Sequence, residues 1–134
     1  MAGYSGPPLP KKLGIKAGGK VHLLEPPAGY RKLLTPLPDA VEFVPACSAT
    51  TDMIHVFSTR RAELSKALRA IRKKMRADAV VWVSWPKKTA RVATDMTEDA
   101  VREVALPLGL VDVKVCAIDD VWSALKLVVR KELR

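Results

Sequence analysis

The chain has 134 residues, of which 49% are hydrophobic and 28% are charged, and its formal net charge at pH 7 is +9. This length and composition fit one globular domain and exclude two domains of ordinary size. The apolar runs are too short to span a bilayer and the N-terminus lacks a signal-peptide pattern, so we expect a cytoplasmic protein without a membrane partner.

Residues 1–19 are rich in glycine and proline, which helices and central strands do not tolerate. They predict a basic N-terminal arm, with one short turn around residues 11–13, before a domain that spans residues 20–134. A short apolar run at residues 20–25 stops at two prolines and predicts the first strand. Residues 29–34 predict a short helix that Pro36 prevents from extending, and residues 41–44 predict the second strand.

The middle of the chain predicts a strand, a long helix and a second strand. Residues 52–57 form the third strand, and Ser58 or Thr59 is placed to cap the helix after it. In that helix, apolar residues recur at spacings of four, three and four, so they form one stripe facing the sheet: Leu64, Leu68, Ile71 and Met75. Residues 79–85 are almost continuously apolar, which predicts a fourth strand covered on both faces.

The last third of the chain begins with a helix that Thr97 caps and Gly109 closes, with its regular part ending near Ala105 because of Pro107. Residues 111–118 and 123–131 are two strand-like runs separated only by a turn, so they must pair antiparallel. The pattern predicts a three-layer, Rossmann-like α/β fold. Its sheet is mostly parallel, ends in an antiparallel C-terminal hairpin, and has the expected strand order 2-1-3-4-6-5.

This order of elements resembles a known fold. Residues 52–134 resemble the closing half of the class I methyltransferase fold, and residues 20–44 resemble its beginning with one strand and one helix fewer. The segments GYSGPPLPKKLGIKAG, VVWVSWPKK and VALPLGLVDVKVCAIDDVWSALKLVVRKELR resemble a family of short bacterial proteins known as a domain of unknown function. The resemblance implies a trimmed methyltransferase-like fold and a cytoplasmic setting, and it implies no activity.

In an open α/β sheet, ligands bind beyond the carboxyl ends of the strands where the strand order reverses, here between the first and third strands. Eight residues are expected to line this crevice: Glu25, Gly29, Tyr30, Ser58, Thr59, Trp85, Lys87 and Lys88. The ammonium groups of Lys87 and Lys88 could hold a phosphate or carboxylate while the indole of Trp85 stacks on a flat ligand. The structural alternative is a tryptophan at the edge of the core beside a solvated loop.

The resemblance to methyltransferases is weaker in the two loops that bind their cofactor. Methyltransferases that bind S-adenosylmethionine usually carry a glycine-rich loop after the first strand and an acid after the second. Only Glu25 and Gly29 match the first pattern, because Pro26 and Pro27 stiffen the loop and remove backbone donors. The second strand is followed by Pro45 and Ala46, without an acid. We therefore expect no cofactor, and S-adenosylmethionine is the less favoured alternative.

The histidines, cysteines and carboxylates of the chain give few signs of catalysis or metal binding. His22 and His55 lie in neighbouring predicted strands and could form a titrating pair. We expect no metal site and no catalytic residue, because the chain shows no ligand set or paired carboxylates at a defined spacing. Cys47 and Cys116 are too few for a disulfide framework, and we expect both to be reduced and buried.

The positive charge is concentrated on the helix after the third strand. Its outer side could follow a nucleic-acid backbone through five residues: Arg61, Arg69, Arg72, Lys73 and Arg76. An ordinary solvated helix face is the alternative.

The sequence is compatible with three functions. The sequence favours a non-catalytic module that binds a small ligand, a protein partner or a second copy. Tyr4 and the arm could supply the contact with a second copy. The first alternative is a transferase that binds S-adenosylmethionine or another nucleotide, and the second is a basic accessory protein that binds nucleic acid.

Overall fold

A six-stranded mixed sheet forms the centre of the molecule in the computed structural model, which describes residues 7–134. The strand order is β2-β1-β3-β4-β6-β5, and β1 to β4 run parallel while β6 is antiparallel to both β4 and β5. This confirms the predicted fold class and strand order. The strands are β1 Lys20–Leu24, β2 Glu42–Phe43, β3 Met53–Phe57, β4 Val80–Pro86, β5 Leu110–Ala117 and β6 Trp122–Val129.

Helices cover both faces of the sheet and are of very different lengths. They are α1 Leu9–Leu13, α2 Tyr30–Leu33, α3 Arg61–Lys74 and α4 Glu98–Ala105, with short 3-10 turns at Lys88–Ala90, Leu106–Leu108 and Lys131–Leu133. The longer α3 and α4 pack on one face over what we call the α3–α4 core. The short α1 and α2 pack on the other face over the α1–α2 core. Within residues 7–134, no helix has the length and apolar character needed to cross a membrane.

The two central strands are buried on both faces, as the apolar sequence of β4 predicts. Successive side chains of a strand point to opposite faces, so β3 sends Ile54 and Val56 into the α3–α4 core and Met53 and Phe57 into the α1–α2 core. The predicted stripe of α3 lies against the first of these cores, where each of its members is at most 7% exposed: Leu64, Leu68, Ile71 and Met75.

The N-terminal caps of the long helices differ from each other. Thr97 caps α4 as predicted, because its hydroxyl accepts the backbone N–H of Ala100 at 3.0 Å. The predicted cap of α3 by Ser58 or Thr59 is wrong, because the chain stays extended as far as Arg60, which is the N-cap. A carboxylate oxygen of Asp95, distant in sequence, accepts the first helical N–H, that of Arg61, at 2.7 Å.

Part of the segment predicted as an arm packs on the sheet. The predicted turn at residues 11–13 lies within α1, and Leu13 and Ile15 are buried in the α1–α2 core. The indole N–H of Trp82 in β4 donates a hydrogen bond to the carbonyl of Leu13 at 3.0 Å. Tyr4, one of the options for a contact with a second subunit, lies outside the described residues.

Candidate functional site

The carboxyl ends of β1, β3 and β4 lie side by side at one edge of the sheet, because Leu24 is in register with Val56 and Phe57 with Ser84. The loops that leave these strand ends carry the eight predicted crevice residues. Within them, Glu25 has a φ of 57° and Gly29 a φ of 83°, so the β1–α2 loop begins and ends in left-handed conformation. Glycine adopts this conformation freely, but a side chain such as that of Glu25 does so at a cost.

Tyr30 points into the protein rather than into the crevice. Its side chain is 1% exposed, and its hydroxyl oxygen lies 2.6 Å from Nδ1 of His55. On the other side of the imidazole, Nε2 lies 2.7 Å from the hydroxyl oxygen of Ser84. His55 and Ser84 are fully buried. We call these three residues the Tyr30–His55–Ser84 chain, and it leaves each ring nitrogen of His55 with one hydrogen-bond partner.

Burial controls the protonation of this chain. It lowers the pKa of His55 from 6.5 to about 3 and raises the pKa of Tyr30 far above its usual value. His55 is therefore neutral near pH 7, and a neutral imidazole offers one donor and one acceptor, which the two hydroxyl groups match. The ring of Phe57 stacks on His55 at 4.2 Å, and Trp122 meets Phe57 edge-on at 5.3 Å, so the surroundings of the imidazole are apolar.

Two further predicted crevice residues are also mostly buried. Trp85 is 7% exposed and belongs to the α3–α4 core. Ser58 is buried, and its hydroxyl both donates to the carbonyl of Arg60 and accepts the N–H of that residue. The carbonyl of Thr59 accepts a hydrogen bond from the Thr94 hydroxyl at 2.6 Å. The hydrogen bonds of Ser58 fix the β3–α3 loop internally, and the one between Thr59 and Thr94 ties it to the segment before α4.

The remaining polar residues of the predicted crevice lie at the surface. Glu25 and Lys88 are exposed, and Lys87 is half-buried. The backbone N–H of Lys87 donates to the carbonyl of Val121 at 2.7 Å, which ties the end of β4 to the β5–β6 turn. A shallow cavity of about 320 Å³ lies beside the β1–α2 loop, and its lining includes Gly29 and Tyr30 together with Pro26, Pro27, Arg31 and Lys32.

The predicted pairing of His22 with His55 is wrong. His22 is in register with Ile54, and His55 with Leu23, so the two histidines project from opposite faces of the sheet. Nδ1 of His22 lies 3.0 Å from the carbonyl oxygen of Val44. The sequence placed the strands correctly but did not show their register, on which the contact depends.

The cysteines are free and only half-buried, which corrects the expectation of full burial. Burial still raises the pKa of both thiols, so both are mainly in the unreactive protonated form near neutral pH. Among the described residues, no group of three or more His, Cys, Asp or Glu side chains is arranged to hold a metal ion.

Three of the five cations predicted to bind a polyanion make contacts within the protein. Arg61 pairs with Glu103 at 2.6 Å, and Nε of Arg72 donates to the carbonyl of Leu108 at 2.9 Å. Arg76 pairs with the carboxylates of Asp52 and Asp78. The other two members of the set, Arg69 and Lys73, are exposed on α3.

Sequence comparison with known proteins finds no matching family model and no matching curated protein. Solved structures do match. An S-adenosylmethionine-dependent methyltransferase from Clostridium acetobutylicum has a TM-score of 0.58 and 6% identity, over 89% of this chain and 86% of that chain. A SAM-dependent methyltransferase from Aquifex aeolicus has a TM-score of 0.55 and 15% identity over the same shares.

Larger proteins also match over part of their length. The structure of LepI in complex with SAM has a TM-score of 0.55 and 15% identity, over 91% of this chain but only 39% of that chain. At such low identities these similarities establish the fold alone. The chain has the Rossmann-like fold of the class I methyltransferases in a trimmed form.

Proposed function

We propose that this protein is a non-catalytic binding module that takes a small ligand in the crevice at the carboxyl ends of β1 and β3. The observation that carries the proposal is the conformation of the β1–α2 loop. Glu25 is held at a φ of 57°, which is unfavourable for a residue with a side chain, at the point where the strand order reverses. Strained backbone is concentrated at binding sites, and this part of an α/β sheet is where ligands bind.

The polar groups behind this loop are buried and hydrogen-bonded to one another, which argues against catalysis. The Tyr30–His55–Ser84 chain combines three residue types that occur in active sites, but its members are at most 1% exposed and hydrogen-bonded to one another. A general base needs access to its substrate and a pKa near the working pH. With a pKa of about 3 and no exposed atom, His55 meets neither condition.

The composition of the β1–α2 loop is unfavourable for the usual mode of S-adenosylmethionine binding. Pro26 and Pro27 have no backbone N–H to donate to a ligand. Beyond β2 the chain continues through Val44, Pro45 and Ala46, which offer no carboxylate to ribose hydroxyls. A ligand of this crevice would therefore be held by fewer polar contacts than the methyltransferase cofactor.

The alternative is that the protein does bind S-adenosylmethionine and transfers a group. The similarity to methyltransferase structures supports this alternative, as does the left-handed Gly29, which permits a close backbone approach to a ligand. In this case Glu25, at the end of β1, would be the side chain of the loop that contacts the cofactor.

Isothermal titration of the full chain with S-adenosylmethionine at low salt tests whether the cofactor that the transferase needs is bound. We expect no saturable heat. Binding with a Kd of about 1 μM, equivalent to roughly 8 kcal/mol, would instead support the transferase, provided that Glu25→Gln weakens it and the exposed control Glu63→Gln does not. Trp85 is unsuitable for this test, because it belongs to the core and its replacement would disturb folding.

Ligand binding itself requires a positive measurement. We expect that, in backbone amide NMR spectra of the full chain, at least one of adenosine, AMP, ATP and NAD shifts the signals of Gly29 and Ser58. If none of these compounds shifts either signal at millimolar concentration, the crevice is not a site for nucleotide-type ligands, and the proposal of a small-ligand site there loses its main support.

A further inference from the structure

A second cavity, of about 500 Å³, lies at the opposite edge of the sheet, at the amino ends of β1, β3 and β4. Val21, Met53 and Val80, near the starts of these three strands, form an apolar floor, and Leu13 and Ile15 extend it. The chain between α1 and β1, residues 14–19, forms the outer wall. This volume is within the range of small-molecule sites, which are typically apolar with a few polar groups.

The outer wall is fixed by backbone hydrogen bonds. Gly18 donates its N–H to the carbonyl of Asp39 at 2.8 Å, and Gly19 donates to the carbonyl of Lys16 at 3.0 Å. Gly14 and Gly18 have φ values of 80° and 75°, which favour glycine over any residue with a side chain. The cavity is therefore formed before a ligand arrives, which reduces the entropy lost on binding.

The charge around the cavity is positive. Lys16, Arg76 and Lys126 line it together with one carboxylate, that of Asp52. This carboxylate already accepts the N–H of Lys20 at 2.7 Å and pairs with Arg76, and these hydrogen bonds lower its pKa, so it is ionised and occupied. Among residues 7–134, Lys16 and Lys126 have no ion-pair partner.

Lys126 is in an unusual position for a lysine. It lies on β6 in register with the fully buried Trp82, on the face of the α1–α2 core, and is itself half-buried. An ammonium group that loses part of its hydration is stabilised by a nearby anion, more strongly than at an open surface. Unpaired cations beside an apolar floor match a molecule that is anionic at one end and apolar at the other.

We propose that this cavity binds a small organic anion. Its carboxylate or phosphate group is held by Lys16 and Lys126, and its apolar body lies on Val21, Met53 and Val80. This site is separate from the crevice of the proposed function, because the two lie at opposite ends of the parallel strands.

Three naphthalene compounds test the proposal on the full chain: 1-naphthoate, 1-naphthyl phosphate and the neutral 1-naphthylmethanol. The first two carry the two anionic groups, and the third has the same apolar body without charge. In amide NMR titrations, we expect an anion to shift the signals of Gly14, Gly18 and Gly19 and to bind at least tenfold more tightly than the alcohol. The stronger of the two anions identifies the preferred head group.

Two variants locate the charge effect. We expect the double variant Lys16→Met/Lys126→Met to weaken anion binding by about tenfold or more, because charge-assisted hydrogen bonds are lost. The control Lys66→Met, on the exposed side of α3, should bind as the unchanged protein does. The proposal is overturned if neither anion binds, if the alcohol binds equally well, or if the control loses as much affinity as the double variant. Thermal unfolding of each variant verifies that it is folded.

Discussion

The buried His55 makes the stability of the fold depend on pH. Its pKa is lowered to about 3 by burial, whereas an unfolded chain would have a histidine pKa near 6.5. Below pH 6.5 the unfolded chain therefore takes up a proton that the folded chain excludes. The contribution of His55 to folding is thus fully retained above pH 6.5 and is lost progressively as the pH falls from 6.5 towards 3.

Between pH 6.5 and pH 3, we expect protonation of His55 in the unfolded chain to lower the free energy of unfolding by at most about 1 kcal/mol for each pH unit. His55→Gln removes the titrating group while keeping a donor and an acceptor between Tyr30 and Ser84. Its free energy of unfolding, measured in urea at pH 7 and pH 5, should depend less on pH than that of the unchanged protein. Equal pH dependence in the two proteins would mean that the pKa of His55 is not lowered in the folded state.

At the scale of single elements, α4 is positioned by contacts of its first turn. The Thr97 hydroxyl accepts the N–H of Ala100, and the guanidinium of Arg102 pairs with Glu98, Asp99 and Asp112. The ion pairs are partly exposed and contribute little, whereas the cap satisfies a backbone donor that has no helical acceptor. The cap is therefore the more important of these contacts for stability.

Thr97→Ala should lower the free energy of unfolding by about 1 kcal/mol. Thr89→Ala, at an exposed position in the 3-10 turn Lys88–Ala90, is the matched control and should change it by less than about 0.5 kcal/mol. Chemical denaturation of both variants gives the comparison. A loss in Thr97→Ala no larger than that of the control would show that the ion pairs of Arg102 hold this turn without the cap.

The elements were largely predictable because each depends on local signals. Prolines and glycines mark their ends, and the apolar stripe of α3 has helical spacing. The directions in which the side chains at the crevice point were harder to predict from the sequence. In β4 nearly every residue is apolar, so the sequence does not show which face Trp85 occupies. His55 and Ser84 are polar residues inside apolar strands, which was a signal for a buried hydrogen bond, but its formation depends on register and on Tyr30 from another loop.

Over the whole molecule, the net charge of +9 creates a field that attracts polyanions irrespective of any built site. Arg61, Arg72 and Arg76 are engaged within the protein, and Arg69 and Lys73 are exposed. Such an arrangement is typical of weak binding through phosphate contacts without base recognition.

We expect a fluorescent single-stranded DNA oligonucleotide to bind at low salt and to dissociate as the salt concentration approaches about 150 mM, where screening acts within roughly 8 Å. Arg69→Glu/Lys73→Glu should weaken the low-salt binding, as measured by fluorescence anisotropy. Binding that persists at physiological salt and depends on the DNA sequence would favour the nucleic-acid accessory function over the crevice proposal.

The strand order also has a consequence for synthesis of the protein. β6 lies between β4 and β5 in the sheet, although residues 87–121 separate it from β4 along the chain. Until β6 is made, one edge of β4 has unpaired N–H and C=O groups along an apolar segment, the kind of edge that promotes aggregation. At about 5–20 residues per second, translation of the intervening segment takes roughly 2 to 7 seconds. Until β6 pairs with it, this edge of β4 is therefore open and apolar in the growing chain.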